Sequence, residues 1–311
     1  MLTQPEDNHV VWLDGAFVPW REATMHISDH HFGAGVFEGV RAYASDSGAN
    51  LFRLAEHTNR LFGSARILNM RIPEQFNRDC LNQAQVDVLK RNGFKNAYLR
   101  PFVYYAGFGG LAPSTRGLSV RVAVMALAWS DAGVFGKAQQ EGRSLALRTS
   151  SFARPPANAV FVKAKANANY LNGILAIEEA RSAGADDALL LDQAGFVTET
   201  SGANLFLVRG GTLYTPPLTS VLEGITRSTV IALAKEAGIA VLEQQLKRED
   251  AYLADEVFLT GTAVEVVPVR EVDQRQIGKG SCGPITERLR AAYVSHVRAR
   301  GAYRAEWLTP V

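Results

Sequence analysis

The order in which sheet-forming and helix-forming segments follow one another along the 311 residues predicts an α+β protein of two domains. Three observations carry that expectation. Short β-rich runs come in pairs around glycine-bearing turns; blocks of helical spacing lie between those pairs; and "SDAGVFGK" at 130–137 has the small, glycine-bearing composition of a connector near mid-chain. The expected boundaries are a small N-terminal α/β domain over 1–128, a connector over 129–139 and a larger C-terminal domain over 140–311.

Taken in order, "VVWLDGAFVPW" reads as two short strands around Asp14-Gly15, and "VFEGVRAY", "SDSG" and "NLFRL" as a second hairpin. Leu54, Leu61, Ala65 and Leu68 in "LAEHTNRLFGSARILNM" recur at helical spacing, and "NRDCLNQAQVDVLKRNG" repeats the pattern before stopping at Gly93. "NAYLRPFVYY" and "LSVRVAVMALAW" return to strand chemistry. Past the connector come "SLALRTSSF", then the helix "YLNGILAIEEARSAG" that Gly184 terminates, then two hairpins, "ALLLD-QAG-FVTETS" and "NLFLV-RGG-TLYTP". "GITRSTVIALAKEAG" reads as a helix, "EVFLTGTAVEVVPV" as a strand, and a last helix starts at Pro284. The frequency of hairpins argues against a parallel βαβ series.

Composition narrows the function. A net charge of +2 on a chain that is 21% charged does not recommend nucleic acid or acidic membranes as partners. Cys80 and Cys282 are too far apart in sequence to suggest a disulfide framework or a metal cluster, and a reducing cytoplasm is the expected setting. The start "MLTQPEDNHV" lacks the form of a signal peptide, and no apolar run approaches the roughly 20 residues that span a bilayer. His30 and His31 are adjacent and would point apart on a strand, which gives metal chemistry little support. The glycine clusters "GFGG" and "GVFEG" do not follow the strand-GxGxxG-helix order of a dinucleotide site.

What remains is "FVKAKANANY", with Lys163 and Lys165 two apart among small and apolar residues. A lysine whose pKa is depressed from about 10.4 by apolar surroundings or a nearby cation can attack an aldehyde, of which pyridoxal phosphate is the commonest biological example. A solvated surface is the plain alternative. If the segment is a strand, both lysines share a face, so spacing alone does not choose between them. Pyridoxal phosphate also needs an acid for its ring nitrogen and an anion site for its phosphate. "GITRST" places Gly224, Ile225 and Thr226 at a predicted helix start, where free amides and the helix dipole favour an anion.

Together "VFEGVRAY", "EHTNRLFGSA", "AYLRP", "KANANYL", "TETSGANLF", "GITR", "LADEVFLTGTAVEVVPV" and "CGP" resemble, nearly end to end, the branched-chain aminotransferases of the class IV, D-amino acid aminotransferase-like, pyridoxal phosphate family. The resemblance implies the class IV two-domain fold with the cofactor between the domains, and a homodimer or higher homo-oligomer in which a neighbouring subunit closes the site. It selects Lys165 as the Schiff-base lysine, five residues before Tyr170, which would lie beside the cofactor. It implies Glu199 as the acid for the ring nitrogen, and a phosphate cup of Arg60, Gly224, Ile225, Thr226 and Thr262. Tyr98 and Arg100 share a face of their predicted strand. The family would use Tyr98 with the Thr262-Ala263 turn for the α-carboxylate, and Arg100 for glutamate's distal carboxylate. Phe37, Gly39 and Trp129 match positions around the apolar pocket. The implied activity is transamination between a branched-chain or other apolar L-amino acid and a 2-oxo acid, with 2-oxoglutarate as acceptor.

The sequence also departs from the pattern. Phe32 stands for the usual tyrosine of "HYG", and the family's aromatic-bearing connector after Trp129 reads "SDAGVFG" here, so hydroxyls expected to help Arg100 are absent. Ala203 replaces an acid in "GENLF", and Val264 gives "GTAVE" for "GTAAE". These changes keep open a specialised relative with an unusual substrate. The same fold also hosts D-amino acid aminotransferases and aminodeoxychorismate lyases, and a non-catalytic paralogue is a further class. Retention of Lys165, Glu199 and Arg60 together argues against the last.

Overall fold

The computed structural model describes residues 6–30, 34–45, 48–130 and 144–311. Two units emerge. The N-terminal unit holds the described residues up to 130 together with Ala164–Ala168 and Val297–Val311; the C-terminal unit holds the remaining described residues through Lys163, and Asn169–His296.

In the N-terminal unit, Asp14 and Gly15 both take positive φ (47° and 95°), turning β1 (Val10–Leu13) back on β2 (Ala16–Pro19). They are followed by β3 (Gly35–Phe37), β4 (Val40–Ser45), β5 (Gly48–Phe52), helices α1 (Leu54–Ile67) and α2 (Arg78–Arg91), then β6 (Ala97–Ala106) and β7 (Ser119–Ala128). The sheet runs β5-β4-β6-β7-β1-β2, with β3 also on β6, and its far edge beside β5 is Leu308–Pro310 from the end of the chain. Leu54, Leu61 and Ala65 of α1 recur every four to seven residues, so one face of the helix is apolar. That face and Leu81, Val88 and Leu89 of α2 cover the sheet's Val40, Leu99 and Val124. Asn77 starts α2 by accepting the Cys80 amide proton (2.9 Å), and Gly93, at φ 66°, follows its end.

The C-terminal unit contains β8 (Leu145–Thr149), α3 (Tyr170–Ser182), β9 (Asp187–Leu191), β10 (Val197–Thr200), β11 (Asn204–Arg209) and β12 (Thr212–Thr215). Then come α4 (Ile225–Glu236), β13 (Val241–Glu243), α5 (Arg248–Tyr252), β14 (Glu256–Gly261), β15 (Glu265–Val272), β16 (Arg275–Gln276) and α6 (Pro284–Val297). Strands β10, β9, β8, β15, β14 and β11 pair in succession, and β10 also meets β11, so this part of the sheet closes into a ring. The closing contact is Glu199 opposite Asn204. Leu147, Leu189, Leu205, Val257, Leu259 and Val267 fill its core.

The α+β expectation holds, with two differences. "EVFLTGTAVEVVPV" is a hairpin rather than one strand: Gly261 pairs with Glu265 across residues 262–264, and Glu265 takes φ 59°. The sheet of the C-terminal unit is also mixed: β8 and β9 are parallel and joined through α3, and β12 and β13 are parallel and joined through α4. Parallel neighbours need such a crossover.

Candidate active site

Around its lysines the segment "FVKAKANANY" forms turns rather than a strand, and from Asn167 it turns helical, which removes the premise that both lysines share a face. Lys163 is exposed and pairs with Glu223 of its own unit, Nζ to Oε1 2.9 Å. Lys165 belongs to the N-terminal unit, where its flanking Ala164 and Ala166 are core residues. Its amide donates to Ser64 Oγ (3.0 Å) and its carbonyl accepts the Phe37 amide proton (3.0 Å). With the backbone fixed on both sides, the ammonium lies 5.0 Å from the centre of the Phe37 ring.

The other N-terminal candidates gather around that ring. Arg100 stacks over Phe37 at 4.5 Å and over Tyr98 at 5.3 Å, as the two-residue period of β6 requires. Tyr98 stacks on Trp129 (5.5 Å between centroids), and Arg41 caps Trp129 at 4.1 Å. Gly39 is glycine for a visible reason: a Cβ there would overlap the Tyr98 hydroxyl, so that hydroxyl lies against bare backbone. Phe32, residues 131–139 of the connector and the following residues 140–143 lie outside the described residues.

Arg60 is held by a residue that the sequence reading did not single out. Glu38, fully buried, accepts from Arg60 Nε (2.6 Å) and Nη2 (2.9 Å) and bonds His57 Nδ1 (2.7 Å). Burial pushes the Glu38 carboxyl up, but the Arg60 charge and the bonds from His57 and Arg60 outweigh it and hold the group well below the usual carboxylate range. Burial pushes His57 below the ordinary histidine value, against the opposing pull of Glu38. A lone acid inside the apolar "VFEGV" is the sequence signal that could have found Glu38.

In the C-terminal unit Glu199 is buried, and both of its oxygens are engaged. Arg154 Nη2 donates to Oε1, while Asn204 Nδ2 and the Leu222 amide reach Oε2 at 3.3 Å each. Arg154 and Asn204 were also missed; Arg154 sits in an irregular stretch with no periodicity to mark it. Asn204 has a second contact, because a Cβ on Gly224 would overlap its side-chain oxygen. That bare approach brings the start of α4 against the residue paired with Glu199. Gly224 caps α4 without any side-chain bond, leaving Ile225 and Thr226 at an N-terminus suited to an anion. Tyr170 begins α3, and that helix meets the Glu199 hairpin where Gly173 lies against the Ser201 carbonyl. Thr262 and Ala263 form the turn between β14 and β15. Just before it the Thr260 hydroxyl is buried with no hydrogen-bond partner among the described residues. Within the C-terminal unit a fixed acid, a helix start without a side-chain cap and an orphaned hydroxyl suit a flat, basic, phosphorylated ring compound.

Residues 35–272 match the family model for amino-transferase class IV. The chain is 45% identical to a branched-chain-amino-acid aminotransferase of Pseudomonas aeruginosa, each chain covered in full, and 40% identical to that of Escherichia coli K12, with 100% of this chain and 99% of that one covered. A solved branched-chain aminotransferase from the archaeon Thermoproteus uzoniensis, with norvaline, superposes with a TM-score of 0.90 at 38% identity, covering 97% of this chain and 99% of that one. A second solved branched-chain amino acid aminotransferase, holding pyridoxamine 5'-phosphate, superposes with a TM-score of 0.91 at 43% identity, covering 97% of this chain and 98% of that one. That second enzyme has also been solved with N-(5'-phosphopyridoxyl)-L-glutamate and with 4-methylvaleric acid.

Proposed function

The chain belongs to the class IV aminotransferase family and is a pyridoxal 5'-phosphate-dependent aminotransferase, and from that premise we propose that it exchanges amino groups between branched-chain L-amino acids and 2-oxoglutarate. The observation that carries the branched-chain assignment is the full-length similarity to enzymes of that name. Two ligands of the 43%-identical solved relative, a glutamate adduct and a branched apolar acid, support the two substrate classes.

In this reading Arg60, the Thr262 hydroxyl and the amides of Ile225 and Thr226, with bare backbone at Gly224, hold the phosphate; Glu199 holds the ring nitrogen, and Tyr170 flanks the ring. When bound, the cofactor supplies an aldehyde that takes up the amino group and a protonated ring that accepts electron density from the substrate's Cα. Lys165 Nζ moves the Cα proton. Its fixed backbone limits how far that amine can wander, which is the entropic part of the catalysis. The Tyr98 hydroxyl, lying against Gly39, and the Thr262-Ala263 turn bind the α-carboxylate. The rings of Phe37, Tyr98 and Trp129 exclude water from an apolar side chain. Arg100 is the group for a distal carboxylate, and Phe32 in place of a tyrosine gives it less help, so glutamate and 2-oxoglutarate are expected to be the poorer pair.

The proposal extends to a homo-oligomer in a cytoplasmic setting. Exposed Phe108 and Leu111 in one unit, and Leu171, Ile174 and Leu175 in the other, support the first, and free Cys80 and Cys282 the second. A panel of amino donors and oxo acids tests the substrate reading. Leucine, isoleucine and valine should exceed D-alanine and aromatic donors in kcat/KM by about 10-fold or more, on the usual worth of an apolar side chain in its pocket. Equal or better turnover of D-amino acids would overturn it.

A further inference from the structure

We infer that Arg154 is a positioning residue of the active site: it fixes the orientation of the Glu199 carboxylate and supplies the charge that lets this acid remain buried. The inference rests on the reading of Glu199 as the partner of the cofactor's ring nitrogen. Both residues lie in the C-terminal unit, with side chains 11% and 7% exposed, and Arg154 Nη2 donates to Glu199 Oε1. Among the described residues Glu199 is the one side-chain hydrogen-bond partner of Arg154, whose Nε is buried and unbonded. The guanidinium is therefore committed to the acid.

The backbone delivers it there. The Arg154 amide donates to the Leu191 carbonyl (2.8 Å), and Leu191 pairs with Val197 in the β9–β10 hairpin that carries Glu199. Pro155 follows immediately and restricts Arg154 to extended conformations. The opposite oxygen of Glu199 accepts from two neutral donors, Asn204 Nδ2 and the Leu222 amide, both at the long end of hydrogen-bond range (3.3 Å). Of these three donors Arg154 alone is charged, and a charge-assisted bond restrains a carboxylate more strongly than a neutral one.

Fold stability alone explains the pair poorly. A buried ion pair gains little over well-packed apolar residues, whereas removing one partner strands the other and is strongly destabilising. Glu199→Gln is consequently a confounded test of the acid, since it leaves a buried arginine uncompensated.

The experiment is a cycle of Glu199→Gln, Arg154→Gln and the double variant, with Arg154→Lys alongside, read in apoprotein and holoenzyme. In apoprotein each single glutamine variant should melt earlier than the parent, and the double variant should regain at least half of the larger loss. In holoenzyme Arg154→Gln should move the visible absorption maximum of the bound cofactor and lower kcat of the amino-acid half-reaction by about 10-fold or more, with KM within about twofold. Added to Glu199→Gln it should cost nothing further, and Arg154→Lys, which keeps the charge without the planar guanidinium, should recover part of the rate. Parent-like spectrum and kcat in Arg154→Gln, while Glu199→Gln is impaired, would overturn the inference, as would losses that multiply in the double variant. A parent-like Glu199→Gln would instead remove the premise, a separate result visible in that single variant.

Discussion

Lys163 and Lys165 stand two residues apart, yet one ends on the surface in an ion pair and the other against the Phe37 ring, because Ala164 and Ala166 are drawn into the N-terminal core on both sides of Lys165. The Lys163–Glu223 pair joins side chains that are 60% and 48% exposed, a class of contact worth at most about 1 kcal/mol. Lys163→Ala should therefore leave cofactor absorbance and turnover within about twofold of the parent, whereas Lys165→Ala should lose turnover entirely, since no second amine is proposed to move the Cα proton. Absorption spectra and single-turnover rates of the two variants check this, and a reversed pattern would reassign the lysine. The cofactor candidates are single side chains whose chemistry a sequence motif can announce. The residues behind them are different: Glu38 behind Arg60, and Arg154 and Asn204 behind Glu199, are brought up by tertiary contacts over separations of 22, 45 and 5 residues. Only Asn204 lies near its partner in sequence, and even there the contact depends on β10 meeting β11.

At the scale of elements, the hairpins and helices were legible because each has its own punctuation: Gly15, Gly93 and Gly184 all take positive φ where the sequence asks for a stop. The β14–β15 hairpin was not, since "EVFLTGTAVEVVPV" is largely apolar and its turn residues Thr262–Val264 have no proline, asparagine or aspartate among them. Nor were the parallel pairings of β8 with β15 and β9, because register between distant strands leaves no local mark. That hairpin explains two departures at once. A Cβ on Gly261 would lie 3.3 Å from Val264 Cγ2 and 3.7 Å from Ala203 Cβ, so both substituted positions pack on the same bare strand end. Both are buried in the C-terminal core. Ala203→Glu in this background should destabilise by about 2 kcal/mol or more, as an acid enters an apolar cluster already filled by the valine. Adding Val264→Ala should return at least about 0.5 kcal/mol, a coupling expected of side chains that share one space. Urea midpoints of the two singles and the double measure it; strictly additive losses would mean the two positions changed independently.

For the molecule as a whole, a net charge of +2 conceals charged groups buried within the apolar clusters of each unit, and these groups decide how stability responds to pH. The N-terminal unit carries the sharper case. Glu38 is fully buried between Arg60 and His57, and its carboxyl lies well below the ordinary value of 4.5 despite burial, chiefly through the Arg60 charge. In the unfolded chain the same carboxyl titrates near its ordinary value, so the unfolded state takes up the proton first as pH falls. The stabilisation is complete above about pH 4.5 and is lost as pH drops from there toward the folded pKa. His57 acts in the same direction over a higher range: burial lowers its folded pKa below 6.5, so its contribution is complete above that pH and declines beneath it. Apoprotein should accordingly lose stability in two stages on acidification, one beginning near pH 6.5 and a steeper one near pH 4.5. Glu38→Gln should lower stability at neutral pH, because Arg60 and His57 lose their anionic partner. It should also flatten the lower stage, because the group that titrates there is gone. Melting temperatures of parent and variant across the acid range read both effects together. Parallel curves below about pH 4.5 would show that the acid sensitivity comes from other carboxylates and that Glu38 is not the buried anion of this unit.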